Sequence, residues 1–570
     1  MSSAIFILLL PFISIPYSLS IGSGPPPGLL KGPGPSIPKP GPSVPKPGHP
    51  TPPTKGPVPT ADPNSVFKSF LACLPTQSPH PDPSFSSIVF SSATNASAYT
   101  KTLEDRIRNR RFNMTSTPKP AIIVTPTKEF HVQATVLCAK KLDLQIKIRS
   151  GGHDYEAISS VSSEETFMIL DMFNLRSVEI NIPTETAVVQ AGAQLGELYY
   201  RIWEKSKVHG FPSGVCPTIG IGGHISGAGY GNMIRKYGLS IDHVIDAKIV
   251  NVDGKILDRK AMGEDLFWAV RGGGGSSFGV ILSFTLKLVP VPKITTVFRL
   301  EKGPEPNVVD VIMKWQEIMP KIDNDLFIRL LLTPVPVNGK KTIKVTFVGF
   351  FLGDSSKLLG LMSKAFPELG LKKENCSEVS WLQSTLYWAE LDIKKPEILL
   401  DRSTHTIFFK AMSDFVQTPI QKQGWTTIFN KLMDLGSTVV MGFNPYGGKM
   451  SEIPANATAM PHRAGNLYKI QYFMPWMDGA PKVMGENLKK GKAFYKFMTP
   501  YVSKNPRCVF TNYRDFDVGV NSGDGFNSGK VYGEKFFKGN FERLVKVKTA
   551  VDPEDFFRHE QSIPTQGKKP

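Results

Sequence analysis

Gly214-Val215-Cys216-Pro217-Thr218-Ile219-Gly220-Ile221-Gly222-Gly223-His224, continued by Ser226-Gly227-Ala228-Gly229-Tyr230-Gly231, places seven glycines in 18 positions. So many residues without a Cβ disfavour a regular helix or strand and predict backbone lying against a flat ligand. The stretch is no dinucleotide fingerprint, since no strand-to-helix transition is expected to frame it, and it lacks the Gly-Lys-Ser/Thr ending of a phosphate-binding loop. A second glycine turn precedes it: Arg149-Ser150-Gly151-Gly152-His153-Asp154-Tyr155 ends a predicted strand. Consecutive N–H groups in such a turn form an anion nest suited to a pyrophosphate, with Arg149 adding charge.

Working outward, residues 121–126 read as a short buried strand, 129–142 as a helix and 145–153 as a strand entering the glycine turn, a βαβ order. Strands are expected at 166–172 and 186–193, a helix at 196–206, two strands with a turn at Asp253-Gly254 over 244–257, a short helix from Gly263 to Trp268, and a turn running into a strand over 271–289. After about residue 293 strands such as 341–353 and 467–476 interleave with helices, as in an α+β domain with an antiparallel sheet. The chain of 570 residues exceeds what one core supports. The expected division is a signal peptide at 1–20, a Pro/Gly-rich disordered segment at 21–64, a ligand-binding domain at 65–292, a substrate domain at 293–504, and a return to the first domain over 505–570. Residues 21–60 hold 15 Pro and 8 Gly, with four Lys and no acid.

Apolar Ala4 to Ile15 followed by small residues reads as a secretory leader, too short for a membrane anchor. Sequons at Asn95, Asn113, Asn375 and Asn456 agree with secretion. Five cysteines without CxxC pairs give no zinc site and no metal is expected. Cys73 and Cys138 form the expected bridge, with two buried thiols as the alternative. The formal charge is +18. It fits an acidic wall polysaccharide, while the leader and the dispersed charge argue against nucleic acid.

RSGGHDY, GVCPTIGIGGH, NPYGGKM (444–450), HRAGNLYKIQY (462–472) and NYRDFDVG (512–519) together resemble the berberine bridge enzyme-like family of plant FAD-linked oxidases. The resemblance covers residues 65–564. It implies the two-domain vanillyl-alcohol-oxidase (PCMH-type) FAD-binding fold, of class α+β, with an antiparallel-sheet substrate domain. It implies FAD bonded to both His153 and Cys216. It also implies that Ile148, Arg149, Ser150, Gly151, Gly152 and Asp154, with Gly220, Ile221, Gly222, Gly223 and His224, wrap the cofactor, and that Ser276 and Val280 pass the adenine. Tyr513 becomes the base, with Tyr230, Lys469 and Gln471 facing the substrate and Tyr155 lining the same pocket. Lys469 beside a tyrosine favours the phenolate. Two residues depart from the family: Ala228 replaces a glycine, and Phe510 replaces a tyrosine near the flavin. Ile219, three residues after Cys216, lies over the flavin face where O2 reacts in the family.

The resulting expectation is a secreted enzyme of the extracellular space or cell wall, with the vacuole as the other compartment. It oxidises a cinnamyl-type alcohol or a sugar by hydride transfer, with O2 as acceptor and H2O2 as product. The alternatives are an oligosaccharide oxidase giving lactones, a dehydrogenase using another acceptor, and, in a different class, a basic wall-binding protein with a vestigial oxidase fold.

Overall fold

The computed structural model describes residues 63–567 except 81, 165, 304–306, 338–339, 436–438 and 523–524. The expected leader and nearly all of the Pro-rich segment lie outside the described residues.

The predicted βαβ unit is present. Strand Ile122–Val124, helix Glu129–Lys141 and strand Gln145–Arg149 follow in order, and strand Phe167–Asp171 slots between the two strands, parallel to both. These strands are buried on both faces, as covered parallel strands must be. A second, antiparallel sheet runs in the order 178–181, 186–190, 280–287, 244–250, 256–257. The helix expected from Gly263 begins earlier, at Arg259, with a break at Gly263, whose φ is 71°.

The third sheet has seven antiparallel strands in the order 376–379, 295–302, 340–351, 326–337, 440–445, 468–476, 408–416. Period-two alternation gives it two apolar faces. Leu326, Ile328, Leu330 and Leu332 pack under helices such as Val308–Ile318 and Lys422–Asp434. Phe327 and Leu331 point the other way, into a core shared with the second sheet and with Tyr532, Phe536, Phe541 and Leu544 of the C-terminal helices. The large sheet therefore has a helix-covered back and a front pressed against the remainder of the molecule.

Cys73 and Cys138 form a disulfide across 65 residues, tying helix Pro63–Cys73 to helix Glu129–Lys141. Replacing both cysteines by serine removes a loop constraint worth about 4 kcal/mol on the chain-entropy model. The expected result is a lower chemical-denaturation midpoint. An unchanged midpoint contradicts it.

Among the described residues no helix is long and apolar enough to cross a membrane, and no group of His, Cys, Asp and Glu is placed to hold a metal ion.

Candidate active site and cofactor cavity

Both glycine motifs line one cavity, and they touch each other. A Cβ on Gly151 would fall 2.3 Å from the backbone nitrogen of Gly220, so neither residue tolerates a side chain. Gly152 has φ +64°, the left-handed region, with the Arg106 carbonyl where its Cβ would lie. Ser150 fastens the two motifs: its hydroxyl accepts from Gly222 N–H at 3.2 Å and donates to the Ala191 carbonyl.

The glycine-dense stretch differs from expectation in one respect. Ile221–Gly227 is a short helix. Gly222 and Gly227 lie at close approaches to Ala191 and Asn512, and Ile221 and Ile225 anchor the turn in the core. The Ile221 side chain therefore faces away from the cavity, while Gly220, Gly222, Gly223 and His224 line it. No atom lies within 4 Å of where a Gly223 Cβ would stand. Ala228 has φ 176°, extended backbone that a methyl accepts. The neighbouring Gly229, at φ +76° with Ser240 at 2.3 Å from its Cβ position, is the residue that cannot change.

Ile148, Ser150, Gly151, Gly152, His153, Asp154 and Tyr155 also line the cavity. Arg149 does not. Its guanidinium turns outward to Asp171 (2.9 Å) and to the Thr102 and Leu103 carbonyls, because a buried cation needs a carboxylate and full hydrogen bonding. Arg149 thus holds the strand end in place and supplies no cavity charge.

His153 and Cys216, distant in sequence, meet at Thr218. Its hydroxyl lies 2.8 Å from His153 Nε2 and 3.7 Å from Cys216 Sγ. Burial, with Arg108 at 3.2 Å and then His224, holds the His153 imidazole well below its usual range, hence neutral. His224 accepts from Gly214 N–H and is pushed down to about 3, first by burial and then by Lys469.

At one end of the cavity stand the expected polar residues. The Tyr155 and Tyr513 rings stack at 5.2 Å and 27°. Gln471 donates to the Tyr155 hydroxyl at 2.5 Å. Lys469 and Gln471 share a strand face, with Tyr468, Ile470 and Tyr472 on the opposite, core-facing side. Lys469 itself does not reach the cavity. Its side-chain nitrogen lies over the rings of Tyr230 (3.7 Å), Phe510 (3.8 Å) and Tyr513 (4.2 Å), and it has no hydrogen-bond partner among the described residues. Burial and then Arg329 hold Lys469 well below the usual lysine range. Burial, Tyr155 and Tyr230 push the Tyr513 hydroxyl well up, while Arg329 pulls it down. The simple expectation that Lys469 lowers the phenol therefore needs restating: desolvation drives both groups toward neutrality. Phe510 fills the place of the expected hydroxyl with a ring edge-on to Tyr513 at 5.1 Å.

Sequence reading missed Arg329 and Asn444. Arg329 Nε donates to Asn444 Oδ1 at 2.7 Å and Nη2 to the Tyr230 hydroxyl at 3.3 Å, while Tyr230 donates to Asn444 Oδ1. The signal was a lone cation inside the apolar run Leu326 to Leu332; period two puts it on the front face with Phe327 and Leu331.

At the other end, Ser276 lines the cavity with its hydroxyl 3.3 Å from His559 Nε2. Val280 is fully buried in the apolar core between the parallel sheet and its helix; its neighbours Gly279 and Ile281 face the cavity instead. Arg514 and His559 form the wall there.

Two family models match: "FAD binding domain" over residues 120–259 and "Berberine and berberine like" over 509–564. Berberine bridge enzyme-like 2 of Arabidopsis thaliana is 52% identical, the match covering 89% of this chain and 95% of that protein. The chain belongs to the berberine bridge enzyme-like family. This is a family of FAD-dependent oxidoreductases, and the α+β architecture is the PCMH-type flavoprotein fold. Monolignol oxidoreductase AtBBE-like 13 of A. thaliana is 48% identical over 88% of this chain and 94% of that protein. Among solved structures, BBE-like #28 from A. thaliana superposes with a TM-score of 0.82 at 42% identity, covering 88% of this chain and all of the other. Phl p 4, a grass pollen allergen with glucose dehydrogenase activity, has a TM-score of 0.81 at 42% identity with the same coverage. The cavity suits the family's FAD: its side-chain-free glycine walls admit a flat ring system, and a neutral imidazole and a thiol converge on one point of it.

Proposed function

We propose that this member of the family oxidises an alcohol, with the cofactor bonded to His153 and Cys216 and Tyr513 as the base. FAD, when bound, accepts hydride from the carbinol carbon. The supporting observation is the Lys469 side-chain nitrogen, buried against Tyr513, Tyr230 and Phe510 with no hydrogen-bond partner among the described residues. A phenolate alone or an ammonium alone is costly in that setting. The ion pair Tyr513–O⁻ with Lys469–NH₃⁺ holds the same number of protons as the neutral pair, and its opposite charges offset each other. A protonated Lys469 over the Tyr513 ring would thus offset the charge of the phenolate that takes the substrate hydroxyl proton. Gln471, Tyr155 and Arg329 orient the substrate.

A cinnamyl-type alcohol is the preferred substrate. The cavity is walled near Tyr155 by Phe409, Phe473 and Phe510, a slot for a flat aromatic, and a 48% identical relative is named a monolignol oxidoreductase. A sugar is the second reading, supported by the glucose dehydrogenase activity given for Phl p 4. Anaerobic flavin bleaching with coniferyl-type alcohols against oligosaccharides tests both. Bleaching by neither class sinks the assignment, and with it revives the vestigial wall-binding reading.

The acceptor turns on Ile219, which lines the cavity. Unaltered Phl p 4 is described as a glucose dehydrogenase, and a variant with one isoleucine changed to valine as a glucose oxidase. A variant with only an asparagine five positions further on changed to histidine is again described as a dehydrogenase, and the variant with both changes as an oxidase. In this chain Ile219 is followed five positions later by His224. That pattern favours an acceptor other than O2, a quinone-like or radical species, over the O2 expected from the sequence. Ile219→Val removes one methyl, and faster reoxidation of the reduced enzyme by oxygenated buffer is expected. Fast reoxidation of the unaltered enzyme would return the assignment to an oxidase.

The same reading includes the domain division at 65–292, 293–504 and 505–570, secretion to the wall with glycans on exposed sequons such as Asn95 and Asn456, and attraction of the basic chain to acidic polysaccharide.

A further inference from the structure

Lys410 lies outside the cavity, on the outer strand Phe408–Val416 of the seven-stranded sheet. Its side chain is 4% exposed. The ammonium donates to Glu156 Oε1 and to Asp515 Oδ1, each at 2.5 Å, and lies 3.3 Å from Asp517 Oδ2. Arg111 approaches the second oxygen of Glu156 at 3.5 Å, and Asp515 Oδ2 has no hydrogen-bond partner among the described residues.

The neighbours of these residues make the cluster informative. Glu156 follows Tyr155, Asp515 is two residues beyond Tyr513, and Phe409, which precedes Lys410, meets the Tyr155 ring edge-on at 5.6 Å. Asn109 adds a second clamp, donating to the Tyr155 carbonyl at 2.8 Å and the Phe409 carbonyl at 3.0 Å. One ammonium therefore ties together the three segments that carry the Tyr155–Tyr513 stack and its edge-on neighbour. Stability alone explains the arrangement poorly, because buried ion clusters are often no more stabilising than apolar packing of the same volume. What a hydrogen-bonded charge cluster supplies is fixed geometry, and chemistry that relies on placement is sensitive to shifts of an ångström.

We propose that Lys410 is a positioning residue: by bridging Glu156 and Asp515 it sets the stacking of Tyr155 on Tyr513, and so the direction of the Tyr513 hydroxyl. This rests on the reading of Tyr513 as the base. Removing the ammonium leaves two facing carboxylates, and the segments behind the two tyrosines move apart.

The test is a double-mutant cycle on the flavin-loaded enzyme, read by anaerobic stopped-flow reduction. Lys410→Met is expected to retain its flavin, to bind substrate nearly as well as the unaltered enzyme, and to reduce on the order of 10²-fold more slowly. Lys410→Arg keeps the charge and should recover much of that rate. In a Tyr513→Phe background, Lys410→Met should add little, because the residue it positions is gone. Reduction of Lys410→Met at the unaltered rate overturns the proposal, as does a loss that adds fully to that of Tyr513→Phe. A Tyr513→Phe single variant that reduces normally overturns the base reading by itself. If Lys410→Met does not fold, Asp515→Asn enters the same cycle with the same expected and overturning results, since it keeps the acceptor oxygen and removes the charge.

Discussion

In Tyr513→Phe the flavin is expected to be reduced about 10²–10⁴-fold more slowly, the range for loss of a positioned base. The substitution is conservative in every respect but one. The ring remains, so stacking on Tyr155 at 5.2 Å and the Lys469 contact at 4.2 Å remain. Only the hydroxyl is lost, and Lys469 then has no phenolate to accompany. Substrate affinity should change little, because the hydroxyl acts when the proton moves; a fall in rate without a matching rise in dissociation constant is the signature of an interaction made in the transition state. Reduction near the unaltered rate would transfer the role to Tyr230, the other cavity tyrosine over Lys469.

Denaturing the purified enzyme in acid should leave all of its flavin in a yellow pellet, and the His153→Ala, Cys216→Ala double variant should release all of it to the supernatant. His153 is held neutral by burial and Arg108, the form whose ring nitrogen has a free lone pair for bond formation. Cys216 reaches the same Thr218 hydroxyl from the other wall. Either single variant should keep its flavin through the remaining bond. A colourless pellet from the unaltered enzyme would remove covalent attachment from the account, leaving the glycine walls as the whole binding site.

Much of the fold was legible because its signals are local. Alternation over 467–476 predicted both the strand and the shared face of Lys469 and Gln471, and the apolar run at 121–126 beside helical periodicity at 129–142 predicted the βαβ unit. What stayed hidden was which way a side chain turns at the end of an element. Arg149 reads as a phosphate ligand by type, yet Asp171, 22 residues away, claims it. Val280 and Ile281 are equally apolar in sequence, and only the pleat decides that the second one meets the cavity. The helix at Ile221–Gly227 was missed because glycine content was weighed without the two isoleucines that anchor it. Arg329 and Lys410 were missed for a different reason. Their partners, Asn444 and Tyr230 for one, Glu156 and Asp515 for the other, lie 99 to 254 residues away.

The cavity draws its walls from residues as far apart in the chain as Arg108 and His559. A ribosome adds about 5–20 residues per second, so the parallel sheet and the first glycine turn exist long before Arg514 and His559 are made. The nascent chain therefore has only part of a cofactor site. Complete enclosure of the cofactor awaits the synthesis of Arg514 and His559.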